Sequence, residues 1–94
     1  MIIVWLPKAE KTRDALLAYI EKESLVAALE HGDRIDDQVK QLSAYPEMGR
    51  GGRKQGTREL VISRTSFVVI YRVKPKAKRV EILRVLHSSQ QWPQ

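Results

Sequence analysis

Cysteine is absent from this chain of 94 residues, and histidine occurs only twice. Without cysteine the chain can form no disulfide, no cysteine metal site and no thiol nucleophile. Two histidines also give poor support for a histidine-rich metal site, so we expect neither a metal nor a cofactor. The apolar runs are far shorter than the roughly 20 residues that cross a bilayer. The opening run, 1–6, reaches Pro7 and charge too early for a signal peptide, which predicts a soluble cytoplasmic protein with no membrane partner.

The length and the charge distribution predict one domain with two unlike halves. A chain of 94 residues leaves room for a single domain, 1–94, and its 43% hydrophobic and 30% charged residues are ordinary globular values. The net charge is +6, but residues 1–49 sum to −3 and residues 50–84 to +9. This asymmetry indicates one face built for an anionic partner such as nucleic acid. The alternative is a basic surface that serves solubility.

Apolar periodicity divides the chain into a strand, two helices and three further strands. Ala9, Leu16 and Ile20 recur at helical spacing, whereas the stretch from Phe67 to Val73 alternates with period two. Four of the five glycines fall between the helices and the last strands, which indicates a loop. These patterns predict an α+β fold of order β-α-α-β-β-β, with a helical hairpin on a small, mainly antiparallel sheet. The predicted bounds are strand 2–6, helices 8–22 and 24–44, loop 45–57, and strands 58–63, 67–74 and 79–86.

The second predicted helix begins after Ser24, a residue type that caps helix N-termini. His31 falls on a charged stretch of this helix, and we expect it to be solvated. The apolar residues repeat at intervals of three, four and seven, which predicts one buried stripe. That stripe consists of Leu25, Ala28, Ile35, Val39 and Leu42.

Basic residues form the first candidate site, a surface that contacts phosphate groups. Phosphate binding needs cations on a shared surface, and glycines allow backbone N–H groups to approach as well. The lysine-rich turn at 74–78 is more typical of a solvated hairpin tip. The candidates are Arg50, Arg53 and Lys54 on the glycine loop, Arg58, Arg64, Arg72 and Arg84 on or beside strands, and Lys74, Lys76, Lys78 and Arg79 on the turn.

A few other residues could carry chemistry or fix the structure. His87 follows the last predicted strand beside arginines, where its neutral form would be favoured and it could act as a general base or play a structural part. Glu59 and Glu81 are the only carboxylates of the basic half, and we expect them to pair with neighbouring arginines across strands. Trp92 could anchor the C-terminal tail or stack on a base.

Several segments together resemble the RelE/ParE superfamily, the toxins of type II toxin–antitoxin pairs. Residues 5–9 are similar to the family's opening strand and turn, and 42–50 to its helix exit. Residues 56–61 resemble its first meander strand, while 80–87 followed by 91–93 resemble its C-terminus. The resemblance covers almost the whole chain in order and implies the same β-α-α-β-β-β fold.

The resemblance leaves the molecular target open. RelE-type members cut messenger RNA in the ribosomal A site with basic groups on the sheet, whereas ParE-type members poison DNA gyrase. The RelE-type cations correspond here to Glu59, Val61, Val68 and a position near Ser88, so none is preserved. A glutamate where a cation should hold the scissile phosphate would repel that phosphate.

A second nuclease arrangement, like that of YoeB, implies a glutamate, an arginine and a C-terminal histidine. Glu47 or Glu59, Arg64 or Arg84, and His87 would supply these groups. In such a site a base activates the ribose 2′-hydroxyl and a cation stabilises the phosphorane.

The missing RelE-type cations favour the ParE-like interpretation, in which the domain has no catalytic residues of its own. The implied partners are DNA gyrase and a cognate antitoxin that is acidic or amphipathic and folds as it binds. The alternatives are a ribosome-dependent mRNA endonuclease, with the ribosome and mRNA as partners, and a non-toxic nucleic-acid-binding module. On the ParE-like interpretation the target-contacting residues are Arg50, Arg53, Lys54, Arg58, Arg64, Arg72, Arg84, His87 and Trp92.

Overall fold

Two helices cover one face of a five-stranded sheet in the computed structural model, which describes residues 1–93. The sheet order is β1-β5-β4-β3-β2; β1 runs parallel to β5 and the other neighbours are antiparallel. This is the α+β arrangement predicted from the sequence. In chain order the elements are β1 (Ile2–Trp5), α1 (Pro7–Glu21), α2 (Leu25–Lys40), β2 (Arg50–Gly51), β3 (Arg58–Val61), β4 (Phe67–Lys74) and β5 (Arg79–His87), with a 3₁₀ turn (Gln41–Ser43) after α2.

The helical hairpin is fixed by a cap and an ion pair. The Ser24 hydroxyl accepts a 3.1 Å hydrogen bond from the Ala27 N–H, as predicted for the start of α2. Arg13 of α1 donates to the carboxylate of Asp36 on α2, with a closest distance of 2.8 Å. Gly32 lies where a Cβ atom would come within 3.3 Å of the Arg13 guanidinium, so its missing side chain lets the helices approach closely. No helix within residues 1–93 has both the length and the apolar character needed to cross a membrane.

Two hydrophobic clusters lie on opposite sides of the sheet. The larger one fills the space under the helices and includes Ile35, Leu42 and Tyr71. The smaller one lies on the other side, which we call the open face, and groups Val68, Ile70, Leu83 and Leu86 with the partly buried Leu6 and Trp92. The predicted alternation along β4 is confirmed, because Phe67, Val69 and Tyr71 face the helices while Val68 and Ile70 face away.

Two expectations for α2 were wrong. Leu25 is 56% exposed rather than buried, because the helix begins there and its buried stripe starts only at Ala28. His31 is half-buried rather than solvated. Its Nδ1 donates a 2.8 Å hydrogen bond to the Ala27 carbonyl, and its ring meets Phe67 edge-on at 5.6 Å between centroids.

The open edge of β5 is covered by α1. β1 pairs with β5 only as far as Trp5 opposite Ile82, and beyond that point β5 lacks a neighbouring strand on this side. The Thr12 hydroxyl of α1 accepts a 2.9 Å hydrogen bond from the Val85 N–H. This contact satisfies a donor that an uncovered strand edge would leave unpaired.

The segment predicted as a loop over 45–57 contains the short strand β2. Arg50 and Gly51 pair with Glu59 and Arg58 of β3. Two residues flanked by glycines carry no strand periodicity, so no local pattern indicates β2. β3 is also shorter than predicted, because it ends at Val61 rather than at residue 63.

Candidate functional site

Glu59 lies on β3 and is only 2% exposed, held between two arginines. Arg50 Nη2 donates to one carboxylate oxygen at 3.1 Å. The other oxygen lies 3.1 Å from Arg53 Nε and accepts the Arg53 backbone N–H at 3.1 Å. The two guanidinium groups and one carboxylate leave a net positive charge on the surface. The ion pairing expected of Glu59 is therefore confirmed. Both oxygens of the carboxylate that a YoeB-like nuclease would use are bound within the protein.

Glu81 on β5 forms a second group of the same kind. It is 5% exposed, and its two oxygens accept from Arg72 Nε at 2.6 Å and from Arg79 Nε at 2.8 Å. The hydrogen bond from Arg72 is the main reason why the pKa of Glu81 lies below its ordinary value; burial opposes this and Arg79 adds to it. Arg72 and Arg79 are thus structural partners of a buried carboxylate, and each still exposes close to half of its side chain.

His87 ends β5, and its ring nitrogen Nδ1 is already engaged. The Ser89 N–H donates to Nδ1 at 3.2 Å, and the Ser89 hydroxyl lies 2.8 Å from the same atom. An N–H donor requires a lone pair at Nδ1, so the neutral ring carries its own proton on Nε2. The lone pair that could take a proton from a substrate is therefore used inside the protein. The ring also contacts Phe67 edge-on.

The candidates for a YoeB-like nuclease are spread over the sheet. Glu59 and Arg84 lie in one row on either side of Ile70, which puts their backbones about 10 Å apart. His87 lies opposite Phe67, which comes three residues before Ile70 on β4. Arg64 is in the turn between β3 and β4, where its φ is 63°. The structure therefore groups Glu59 with its own arginines and not with His87.

The other predicted site residues differ in how firmly they are held. Arg58 Nη1 donates to the carbonyls of Gly49 at 2.9 Å and Glu47 at 3.2 Å, and these hydrogen bonds hold the loop before β2 against β3. Arg84 donates a 2.6 Å hydrogen bond to the Leu83 carbonyl, next to an irregularity where Leu83 has no partner on β4. Within residues 1–93, the ion pairs include none of Lys54, Arg58, Arg64, Lys74, Lys76, Lys78 and Arg84.

The C-terminal segment after β5 folds back over the open face. Trp92 packs against the smaller cluster and is partly buried, as an anchored tail would be. Gln90 fixes the segment through two contacts: its Oε1 accepts the His87 N–H at 2.8 Å, and its carbonyl accepts Arg53 Nη1 at 2.9 Å. At least one side of the Trp92 indole is therefore buried against the smaller cluster.

Sequence reasoning missed the contact that fastens the loop before β2 to the sheet. The Tyr71 hydroxyl donates to the Pro46 carbonyl at 2.8 Å and accepts the Gly49 N–H at 2.9 Å. Burial raises the pKa of Tyr71 above its ordinary value. The only signal in the sequence was a polar ring at an inward position of β4. Within residues 1–93, no three histidine, aspartate or glutamate side chains converge to hold a metal ion.

Comparison with known proteins agrees with this architecture. The family model described as the ParE toxin of the type II toxin–antitoxin system parDE matches residues 3–92. The chain belongs to the ParE toxin family. It is 42% identical over 92 residues to a protein of Sinorhizobium fredii named "Putative toxin Y4kP", covering 98% of this chain and 93% of that protein.

Two solved structures share the fold. One is titled as the chromosomal ParDE toxin–antitoxin system from P. aeruginosa; it has a TM-score of 0.79 and 32% identity, and the match covers 93% of this chain and 95% of that one. The other is the toxin–antitoxin complex RelBE2 from Mycobacterium tuberculosis, with a TM-score of 0.57 and 25% identity, over 92% of this chain and 95% of that one. This ParE toxin is therefore a type II toxin of the RelE/ParE superfamily.

Proposed function

We propose that this ParE toxin arrests growth by poisoning DNA gyrase and that a cognate antitoxin neutralises it. The observation that carries the proposal is the ParE family match, which extends over residues 3–92. The geometry supports it, because Glu59 lies buried between Arg50 and Arg53 and the Nδ1 lone pair of His87 is engaged by Ser89. These groups are arranged for stability rather than for proton transfer. On this proposal the toxin acts by contacting its target and needs no catalytic residues.

The gyrase proposal is tested by two assays run side by side on the purified toxin. In the first, gyrase supercoils relaxed plasmid in the presence of increasing toxin, and double-strand cleavage is scored on the same gel. In the second, a ribosome-dependent translation reaction receives the same toxin concentrations, and the mRNA is examined for cuts. We expect inhibited supercoiling with accumulated cleavage and intact mRNA. Intact gyrase activity together with codon-positioned mRNA cuts that disappear in His87→Ala would replace this proposal with the endonuclease alternative.

The antitoxin proposal is supported by both structural neighbours, one titled as a toxin–antitoxin system and the other as a toxin–antitoxin complex. The helical hairpin carries exposed apolar side chains that no element within residues 1–93 covers. Tyr19 is 72% exposed, Val26 66% and Leu29 61%. An amphipathic antitoxin segment that folds on binding would bury such side chains. We propose that the cognate antitoxin covers this part of the hairpin.

Co-expression with the antitoxin gene tests this contact. Val26→Asp combined with Leu29→Asp places charges in the proposed contact, so we expect the antitoxin to be lost on purification and growth arrest to return. Tyr45→Asp is the matched control, because Tyr45 is 67% exposed but lies outside the hairpin. Retention of the antitoxin by the double variant would contradict this contact. Neutralisation is tested separately, by whether the antitoxin restores growth of cells that express the parent toxin.

A further inference from the structure

An open groove of about 540 Å³ lies where β4 turns into β5. Val73 and Pro75 line it from β4 and the turn that follows. Gly51, Gly56 and Thr57 line it from the glycine-rich segment between β2 and β3. The groove therefore brings together the two most basic stretches of the chain, which are far apart in sequence.

The cations beside the groove are available to a ligand. Lys74 and Lys76 flank Pro75 in the chain, Lys78 follows on the same turn, and all three are exposed. None of these three lysines takes part in an ion pair within residues 1–93. No carboxylate within residues 1–93 neutralises their charges in an ion pair.

Arg58 adds a cation that is held in place. It lines the groove, and its hydrogen bonds to the Glu47 and Gly49 carbonyls orient the guanidinium without neutralising it. Glu47 is the single carboxylate among the lining residues. Arg58 and the three exposed lysines of the turn outnumber this carboxylate, so the rim of the groove carries a net positive charge.

The glycines leave the backbone of one wall uncovered. A Cβ atom built on Gly51 would meet no atom within 4 Å, and the same holds for Gly56, whose φ of +83° favours glycine. A ligand can thus lie directly on this stretch of main chain. Open backbone between cations suits a chain of phosphate groups, because backbone N–H groups and lysines both contact phosphate oxygens. Gly51, Gly56, Val73 and Pro75, which make up most of the lining, have no side-chain group that hydrogen-bonds to base edges, so the groove favours a regular charged backbone.

We infer that this groove binds the sugar-phosphate backbone of duplex DNA, with Lys74, Lys76 and Lys78 on one side and Arg58 on the other. Duplex DNA presents its phosphates at regular spacing on its outside, where such a groove can reach them without base contacts. This inference deepens the proposed function, since gyrase works on DNA. Binding to DNA by the toxin alone is nevertheless a separate property, and it can be measured without gyrase.

The experiment compares two triple variants that remove the same charge from different places. K74Q/K76Q/K78Q removes three lysines beside the groove, and K8Q/K11Q/K22Q removes three exposed lysines of the helical half. Binding to a fluorescent duplex of random sequence is followed by anisotropy between about 50 and 200 mM NaCl. We expect the groove variant to bind about tenfold more weakly or worse at the lowest salt, with a salt slope smaller by up to about 3. The helical variant should stay within about twofold of the parent protein, since its lysines contact no phosphate.

Three results would overturn the inference. The parent protein could fail to bind duplex DNA at the lowest salt, the two triple variants could weaken binding equally, or a polyglutamate or single-stranded RNA of equal charge could bind more tightly than the duplex. Equal melting temperatures of the variants exclude unfolding as the cause. The supercoiling assay with the parent protein is scored independently, so loss of DNA binding and loss of gyrase inhibition remain distinguishable.

Discussion

Arg72 on β4 and Glu81 on β5 face each other directly across the sheet and share a 2.6 Å hydrogen bond. Arg79, two residues before Glu81 on β5, binds the other carboxylate oxygen at 2.8 Å. Glu59 repeats this arrangement with Arg50 and Arg53. The open face is thus stabilised by two buried carboxylates, each between two arginines, and it keeps an excess of positive charge.

The Glu81 group makes stability depend on pH in the acid range. The pKa of Glu81 is lower in the folded protein than its ordinary value of 4.5, mainly because of the hydrogen bond from Arg72. The folded state therefore gains stability from the ionised group above about pH 4.5, and this gain is lost as the pH falls through the lower folded pKa. We expect Glu81→Gln to lower the free energy of unfolding at pH 7 and to flatten its decrease between pH 5 and pH 3, measured by urea denaturation. Glu21→Gln, at an exposed position, should keep the full pH dependence; the same curve for both variants would refute this role of Glu81.

Tyr71→Phe should loosen the loop before β2. The substitution removes a hydroxyl that binds the Pro46 carbonyl and the Gly49 N–H, leaving two polar backbone groups without partners. We expect a loss of about 1–3 kcal/mol in the free energy of unfolding, measured by urea denaturation. Tyr45→Phe is the control, since Tyr45 is 67% exposed and should change stability by less than about 0.5 kcal/mol. Equal effects of the two substitutions would show that the Tyr71 hydroxyl does not fasten this loop.

Periodicity predicted the elements whose side chains repeat over several turns or strand residues. The alternation from Phe67 to Val73 predicted β4 with its correct faces, and α2 was found with its cap at Ser24. Arg50–Gly51 was missed because a two-residue strand forms only through its pairing with β3, which no local pattern encodes.

The candidate site was predicted as a set of residues rather than as an arrangement. The sequence predicted that Glu59 and Glu81 pair with neighbouring arginines, but it did not show which arginines bind each carboxylate or that both carboxylates are buried. Tyr71 and Gly49 are 22 residues apart, and their hydrogen bond arises from packing between elements. Such contacts depend on which strands become neighbours, so they require the three-dimensional fold.

Gly49 should tolerate no side chain. A Cβ atom at this position would lie 2.6 Å from the Tyr71 hydroxyl oxygen and 2.8 Å from the Glu59 carbonyl oxygen, and the second of these is backbone that cannot swing away. We expect Gly49→Ala to cost about 1–3 kcal/mol of folding stability, as overpacking typically does. Gly51→Ala, where a Cβ atom would meet nothing within 4 Å, is the matched control for the change in chain entropy. Thermal and urea unfolding of both variants measures the difference, and a Gly49→Ala protein as stable as its control would contradict the close approach.

Thr12 should protect the exposed edge of β5. Its hydroxyl accepts the Val85 N–H at 2.9 Å and donates to the Ala9 carbonyl at 3.0 Å, which joins α1 to the part of β5 that β1 does not reach. Thr12→Val keeps the shape but removes the acceptor, so we expect a loss of about 1–3 kcal/mol and faster hydrogen exchange at the Val85 amide. Thr12→Ser retains the hydroxyl and should preserve most of the protection, because the acceptor remains in place. Equal exchange at Val85 in the valine and serine variants would mean that the helix covers this edge without the hydrogen bond.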